Sequence, residues 1–159
     1  MNKNEFKKIL LKTAVCAIAS DGKIDDKEIK ALYHIEKESK YFSSFEMKDL
    51  LDSYLKKCMN DINKYTNEVF NSIKKSKLTP FQELIILEIS LRIIAADNIE
   101  EKEEEAYMIN LRNNLSIDDL LISERFGTIK YLGITRDEVN QFNEFNQSTD
   151  LETDLGVKK

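Results

Sequence analysis

Apolar residues recur at three- and four-residue intervals along most of the chain, the spacing that stacks side chains on one face of an α-helix. Phe6, Ile9, Leu10, Ala14, Ala17 and Ile18 set a first stripe and predict a helix over residues 3–19. Ile29, Leu32 and Ile35 predict a second over 25–40. Met47, Leu50, Leu51, Tyr54, Leu55 and Cys58 mark a third, and Ile62, Tyr65, Val69 and Ile73 a fourth. The fifth has the clearest start: Thr79 is placed to cap it, and Pro80 takes the first helical position, where a missing N–H costs nothing. From Phe81 to Ala96 this helix is apolar on most sides, with Glu88 and Arg92, one turn apart, as its polar strip. Such a helix belongs in the middle of a bundle. A sixth helix is predicted over 100–113 and another over 116–126. Thr135-Arg136-Asp137-Glu138 reads as a capping box that starts a last helix through Phe142 and Phe145. Apolar anchors become sparse from Gln147, so residues 147–159 read as a disordered tail. The expectation is one all-α domain over residues 1–146, a bundle of about seven to eight helices.

Composition sharpens this picture. Four glycines and one proline in 159 residues leave too few turn formers for a sheet architecture. The net charge of −5 argues against a nucleic-acid binder, whose affinity comes from neutralising phosphates; Lys74, Lys75 and Lys77 read as a solvated helix end. The most apolar stretch, Leu84–Ala96, is interrupted by Glu88 and Arg92 and is too short to cross a bilayer. Lys7, Lys8 and Lys12 break up the first apolar stretch, so no signal peptide is expected. The expected location is the cytoplasm, with any membrane association made through a partner and not by direct insertion. Cys16 and Cys58 lack a CxxC or Cys/His spacing and fall on apolar stripes, where a reduced thiol behaves as a small hydrophobe.

The most informative feature is an internal similarity. Ala19-Ser20-Asp21-Gly22-Lys23-Ile24-Asp25-Asp26-Lys27-Glu28 matches Ala95-Ala96-Asp97-Asn98-Ile99-Glu100-Glu101-Lys102-Glu103 when one gap is placed in the second copy. Each segment follows a hydrophobic helix and precedes an amphipathic one, so the chain reads as two pseudo-repeats, about 5–75 and 80–145, packed about a pseudo-twofold axis. Much of each turn has a local explanation. Gly22 supplies the backbone angle a reversal needs, and Asn98 tolerates the same conformation. Ile24 and Ile99 are placed to tuck beneath the turns. Asp25 is placed to cap the second helix, with Glu28 three residues on to close a capping box.

Taken together, the carboxylates suggest more. Asp21, Asp25, Asp26 and Glu28 in one turn, and Asp97, Glu100, Glu101, Glu103, Glu104 and Glu105 in the other, concentrate negative charge at two points. If the pseudo-twofold brings those points together, their repulsion calls for a cation or a basic partner. Hard cations such as Ca²⁺ or Mg²⁺ take carboxylate oxygens. An EF-hand loop does not fit. In the register that Asp21, Gly22 and Glu28 would demand, the first and third ligand positions fall on Ala17 and Ala19, which have no side-chain oxygen.

A hydrophobic helix ending in Ala-x-Asp-Gly-x-Ile-Asp-x-x-Glu, present at Ala19–Glu28 and again in altered form from Ala95, resembles the TerB (tellurite-resistance) family. The resemblance covers roughly residues 5–145 and implies an all-helical, internally duplicated fold. It implies an acidic, divalent-metal-binding patch at Asp21, Asp25 and Glu28 with Asp97, Glu100 and Glu103. It also implies a role in tellurite-resistance and related stress systems, with protein partners, some at the inner membrane surface. The second copy departs from the family pattern: it lacks the glycine and is one residue shorter. Related domains occur in membrane-anchored DnaJ-type co-chaperones, so a helical scaffold or co-chaperone accessory domain with no metal site is the alternative. His34 is the only histidine and reads as an ordinary helix residue. With no phosphate loop, no nucleophile–histidine arrangement and no zinc spacing, an enzyme is not expected.

Overall fold

Asn2 opens the first helix by accepting the Glu5 amide at 2.8 Å, and α1 then runs Lys3–Ile18. The structure, a computed structural model, describes residues 2–97 and 102–127. Within them follow α2 (Asp26–Glu38), α3 (Lys48–Asn60), α4 (Ile62–Lys75), α5 (Pro80–Ile94), α6 (Lys102–Asn113) and α7 (Asp119–Phe126), with a short 3-10 turn at Ala95–Asp97. Every regular element among the described residues is helical, as the apolar spacing predicts. The expected helix through Phe142 and Phe145 and the tail over 147–159 lie outside the described residues.

The core is built around α1 and α5. The second half of α1 is buried from Ile9 through Ile18, save Lys12, and α5 is buried on all sides from Glu83 through Ile94. α1 packs on α5, α4 and α3, while α5 also packs on α2 and α6. Full burial of one such Leu or Ile stabilises the fold by about 1.5–3 kcal/mol, which is why all-round hydrophobicity marks the bundle's middle. Thr79 starts α5 through a reciprocal box: its hydroxyl accepts the Gln82 amide at 3.2 Å, and its own amide donates to Gln82 Oε1 at 2.9 Å.

The polar strip of α5 lies inside the bundle. Glu88 and Arg92 form no exposed polar strip; Glu88 is 1 % exposed and Arg92 is buried with it. Tyr41 donates its hydroxyl to Glu88 Oε1 at 2.9 Å, Arg92 reaches Oε2 at 3.3 Å, and Arg125 stands 3.6 Å from Oε1. Burial of a carboxylate is tolerated when charges and hydrogen bonds surround it. The connection after α2, which also buries Phe42 and Met47, and the helix α7 supply those partners.

Further along, α7 starts later than the apolar pattern suggests. Asp118 caps it by accepting the Leu121 amide at 2.9 Å. Before that cap, Ser116 and Ile117 donate their amides to Glu83 Oε1 at 2.8 and 2.9 Å. That buried carboxylate holds the chain in an irregular course between α6 and α7. Gly127, with φ +78°, ends α7.

Candidate acidic site

The first acidic turn is shaped by backbone needs. After α1, the Gly22 amide donates to Ala19 O at 2.9 Å, and Gly22 adopts φ +85°, the region that L-residues avoid. Asp21 Oδ1 accepts the Lys23 amide at 3.0 Å, a local turn that fixes the carboxylate beside the reversal. Asp25 caps α2, as its position predicts, with Oδ1 accepting the Lys27 amide at 2.7 Å. Two finer expectations fail. Ile24 is 41 % exposed and does not tuck beneath the turn. Nor does α2 open with a reciprocal capping box: the Asp25 carboxylate takes the Lys27 amide, while the Glu28 amide donates to the Asp25 backbone carbonyl at 3.0 Å. The Glu28 side chain goes inward, to 1 % exposure.

In the second acidic segment, Asp97 ends the 3-10 turn, while Glu100, together with Asn98, Ile99 and Glu101, lies outside the described residues. Glu103 is exposed, and the carboxylate that the fold buries is its neighbour Glu104, at 1 %. Sequence reasoning saw Glu104 only as one member of an acidic run. The burial pattern distinguishes it: one and the same spacing relates Leu10 to Ile86, Leu11 to Leu87, Ile18 to Ile94, Glu28 to Glu104, Leu32 to Met108 and Ile35 to Leu111, all buried. That register runs without a gap and sets Glu104, not Glu103, opposite Glu28.

α2 packs against both α5 and the Ala95–Asp97 turn, so the helix carrying Asp25 and Glu28 lies beside the start of the second acidic segment. On the other side, the Tyr107 hydroxyl of α6 donates to Thr13 O of α1 at 3.2 Å, tying the Glu104 helix to the core. Among the described residues, no group of three or more His, Cys, Asp or Glu side chains is arranged to hold a metal ion. The described part of the expected set comprises Asp21, Asp25 and Glu28 from one turn and Asp97 and Glu103 from the other.

The remaining reactive side chains sit elsewhere. His34 is exposed, in a cleft of about 400 Å³ that it shares with Lys27, Lys30 and Arg92, cationic company that opposes metal ligation. Cys16 and Cys58 are both free and buried, as their apolar stripes predict. Burial pushes the Cys58 thiol up to about 11 and the Cys16 thiol higher still, so both stay protonated and unreactive near neutrality. None of the described helices is long and apolar enough to cross a membrane. No family model, curated protein or solved structure matches this chain.

Proposed function

We propose that this chain is a non-enzymatic, TerB-like binding module made of two related halves, whose acidic face engages a divalent cation, a basic protein partner, or both. The observation that carries this reading is the pair Glu28 and Glu104. Each lies near the start of the helix that follows a hydrophobic core helix, each is 1 % exposed, and the apolar positions around them repeat at the same spacing. Two halves that each bury a carboxylate at the same place are what duplication of one acidic motif would leave. Burying a carboxylate requires compensating charge or hydrogen bonds, so both halves meet the same demand at the same position.

Under this reading the oxygen ligands come from Asp21, Asp25, Glu28, Asp97, Glu100 and Glu103. Asp21 and Asp25 each commit one oxygen to a backbone amide, which orients the other. Ca²⁺ suits such an irregular set better than Mg²⁺, because it accepts variable oxygen number and geometry. The module would act in the cytoplasm in a stress response of the tellurite-resistance type, with a protein partner at the membrane surface. A second reading, a helical scaffold or DnaJ-type co-chaperone accessory domain without a metal, draws support from the same two bonds: Asp21 and Asp25 already serve a turn and a cap.

Thermal melts separate the two. Wild type, Asp21→Ala and Asp97→Ala would each be melted in chelator, in Ca²⁺ and in Mg²⁺. A cation at 100 times its dissociation constant should stabilise wild type by about 2.7 kcal/mol. The gain should vanish in Asp21→Ala and shrink in Asp97→Ala, with both variants near wild type in chelator. A wild-type midpoint that is identical in all three solutions removes the cation and leaves the acidic face as a docking surface for a basic partner.

A further inference from the structure

On the flank of the bundle where α1, α3 and α4 meet lies a solvent-open groove of about 610 Å³. It runs along the N-terminal half of α1, away from the acidic turn beyond that helix's C-terminal end. Lys8 and Lys12 enter it from successive turns of α1, Lys57 from the last turn of α3 and Lys64 from the first turn of α4. Asp61 and Glu68 are the acidic residues of its lining. Asp61 is already engaged as the cap of α4, its Oδ1 accepting the Lys64 amide at 3.1 Å. None of the four lysines forms an ion pair among the described residues, although the chain as a whole carries five more negative charges than positive ones. Four ammonium groups gathered on one concave surface repel one another, and an anion between them relieves that repulsion.

Two tyrosines complete the groove. The Lys12 ammonium stands 5.5 Å from the centre of the Tyr54 ring, a cation–π contact that holds it in place. Tyr65 also lines the groove; it is 7 % exposed, and its buried hydroxyl makes no hydrogen bond among the described residues. Buried polar atoms nearly always find partners, so an orphaned hydroxyl on a residue of the groove lining is a donor left over for a ligand oxygen. Burial, with the Cys16 and Cys58 thiols nearby, pushes that hydroxyl well up, so it remains an O–H donor at any physiological pH.

We propose that this groove binds a small oligophosphate, a chain of two or three phosphoryl groups either free or carried on an organic ester. Lysine ammoniums recognise phosphoryl oxygens as point charges and require no fixed fork geometry. The groove's volume lies within the roughly 300–1,000 Å³ typical of small-molecule sites. Size also decides against a long nucleic acid. An extended polyanion would feel the protein's net negative charge, whereas a small ligand feels mainly the lysines within a Debye length of about 8–10 Å. Leu50, Val69 and the Tyr54 ring give an ester's organic part an apolar wall.

The test is isothermal titration of the full chain, with chelator present, using sodium tripolyphosphate and metal-free ATP as probes. Tripolyphosphate should bind one to one, and Lys12→Glu and Lys64→Glu should each weaken it by about tenfold or more, the loss expected for one charge-assisted contact. Tyr65→Phe, which changes no charge, should weaken it by a smaller factor. Equal affinity for both probes assigns the site to the phosphoryl chain alone, and tighter ATP binding assigns it to an ester. The Lys74→Glu/Lys75→Glu double variant alters more charge at the far end of α4 and should leave the affinity within about twofold. Lys64, Lys74 and Lys75 are exposed and Lys12 is half-buried; circular dichroism would verify that each variant retains the fold. Absence of saturable binding at millimolar probe, or an equal loss in the Lys74/Lys75 control, overturns the proposal. Neither result bears on the acidic face, whose cation is excluded by the chelator.

Discussion

Glu83 offers the sharpest test of how the second half of the bundle is held. It lies in the first turn of α5 and is buried, yet one of its oxygens, Oε1, takes two backbone amides from a distant segment, Ser116 at 2.8 Å and Ile117 at 2.9 Å. Glu83→Ala removes both acceptor contacts together. A hydrogen bond to a charged group contributes about 1.5–3 kcal/mol, but the two amides do not lose equally. Ser116 is exposed and its amide can turn to water, whereas Ile117 is buried and its amide is left desolvated. The expected loss is therefore about 2–4 kcal/mol, below the sum of two full bonds. Glu83→Gln keeps a carbonyl oxygen where Oε1 was and loses only the charge, so it should cost about 1 kcal/mol. Urea unfolding followed by circular dichroism reads both values, with the slope against urea unchanged if the native state stays intact. Hydrogen exchange adds the location: the amide of Ile117 should lose protection in Glu83→Ala before α1 does. An alanine variant within about 0.5 kcal/mol of wild type, or a glutamine variant as damaged as the alanine one, would refute this account of the loop.

Three further predictions concern the core. Leu87→Ala, at a fully buried position of α5, should cost about 2–5 kcal/mol through the cavity it leaves, and a near-neutral urea midpoint would show that α5 is not central. The native thiols should resist iodoacetamide at pH 8 and a reductant should leave the thermal midpoint unchanged; fast labelling of folded protein would contradict their burial. Because folding raises the Cys58 thiol from its ordinary 9.0 to about 11, the folded state holds that proton more tightly than the unfolded chain does. Stability should therefore be fully present below about pH 9 and decline as pH rises toward 11.

The helices were legible because each is decided by short-range information. The stripe Leu51, Tyr54 and Cys58 is a three- and four-residue spacing that needs no knowledge of the partner it packs on. Thr79 and Pro80 mark the start of α5 by local chemistry alone, and Asp25 does the same for α2. What local chemistry could not give is the company a polar residue keeps. Glu88 and Arg92, one turn apart in an apolar helix, satisfy the pattern of an exposed polar strip equally well as that of a buried ion cluster. The difference lies in Tyr41 and Arg125, which lie far from Glu88 on either side of it in sequence. Glu83 carries no local signal for the same reason, since its two partners belong to an irregular segment with no periodicity to announce it.

The same distinction separates the two candidate sites. The acidic turns are consecutive in sequence, so Asp21, Asp25 and Glu28 could be read directly, and what burial adds is a choice between neighbours, Glu104 inside and Glu103 outside. Helical geometry explains that choice: Glu104 is four residues before Met108 and seven before Leu111, on the face that packs inward, while Glu103 is rotated by about 100° toward solvent. The basic groove has no such signature. Lys8, Lys12, Lys57 and Lys64 are polar positions of three different helices, and in sequence the lysine run at Lys74, Lys75 and Lys77 is the denser one. Charge density along a chain measures which residues are neighbours in a helix, whereas recognition depends on which helices are neighbours in space. Only the packing of α1 on α3 and α4 converts those four dispersed lysines into one concave surface, and Tyr65, which the apolar stripe of α4 explains as core, also lines it with its hydroxyl unpartnered among the described residues.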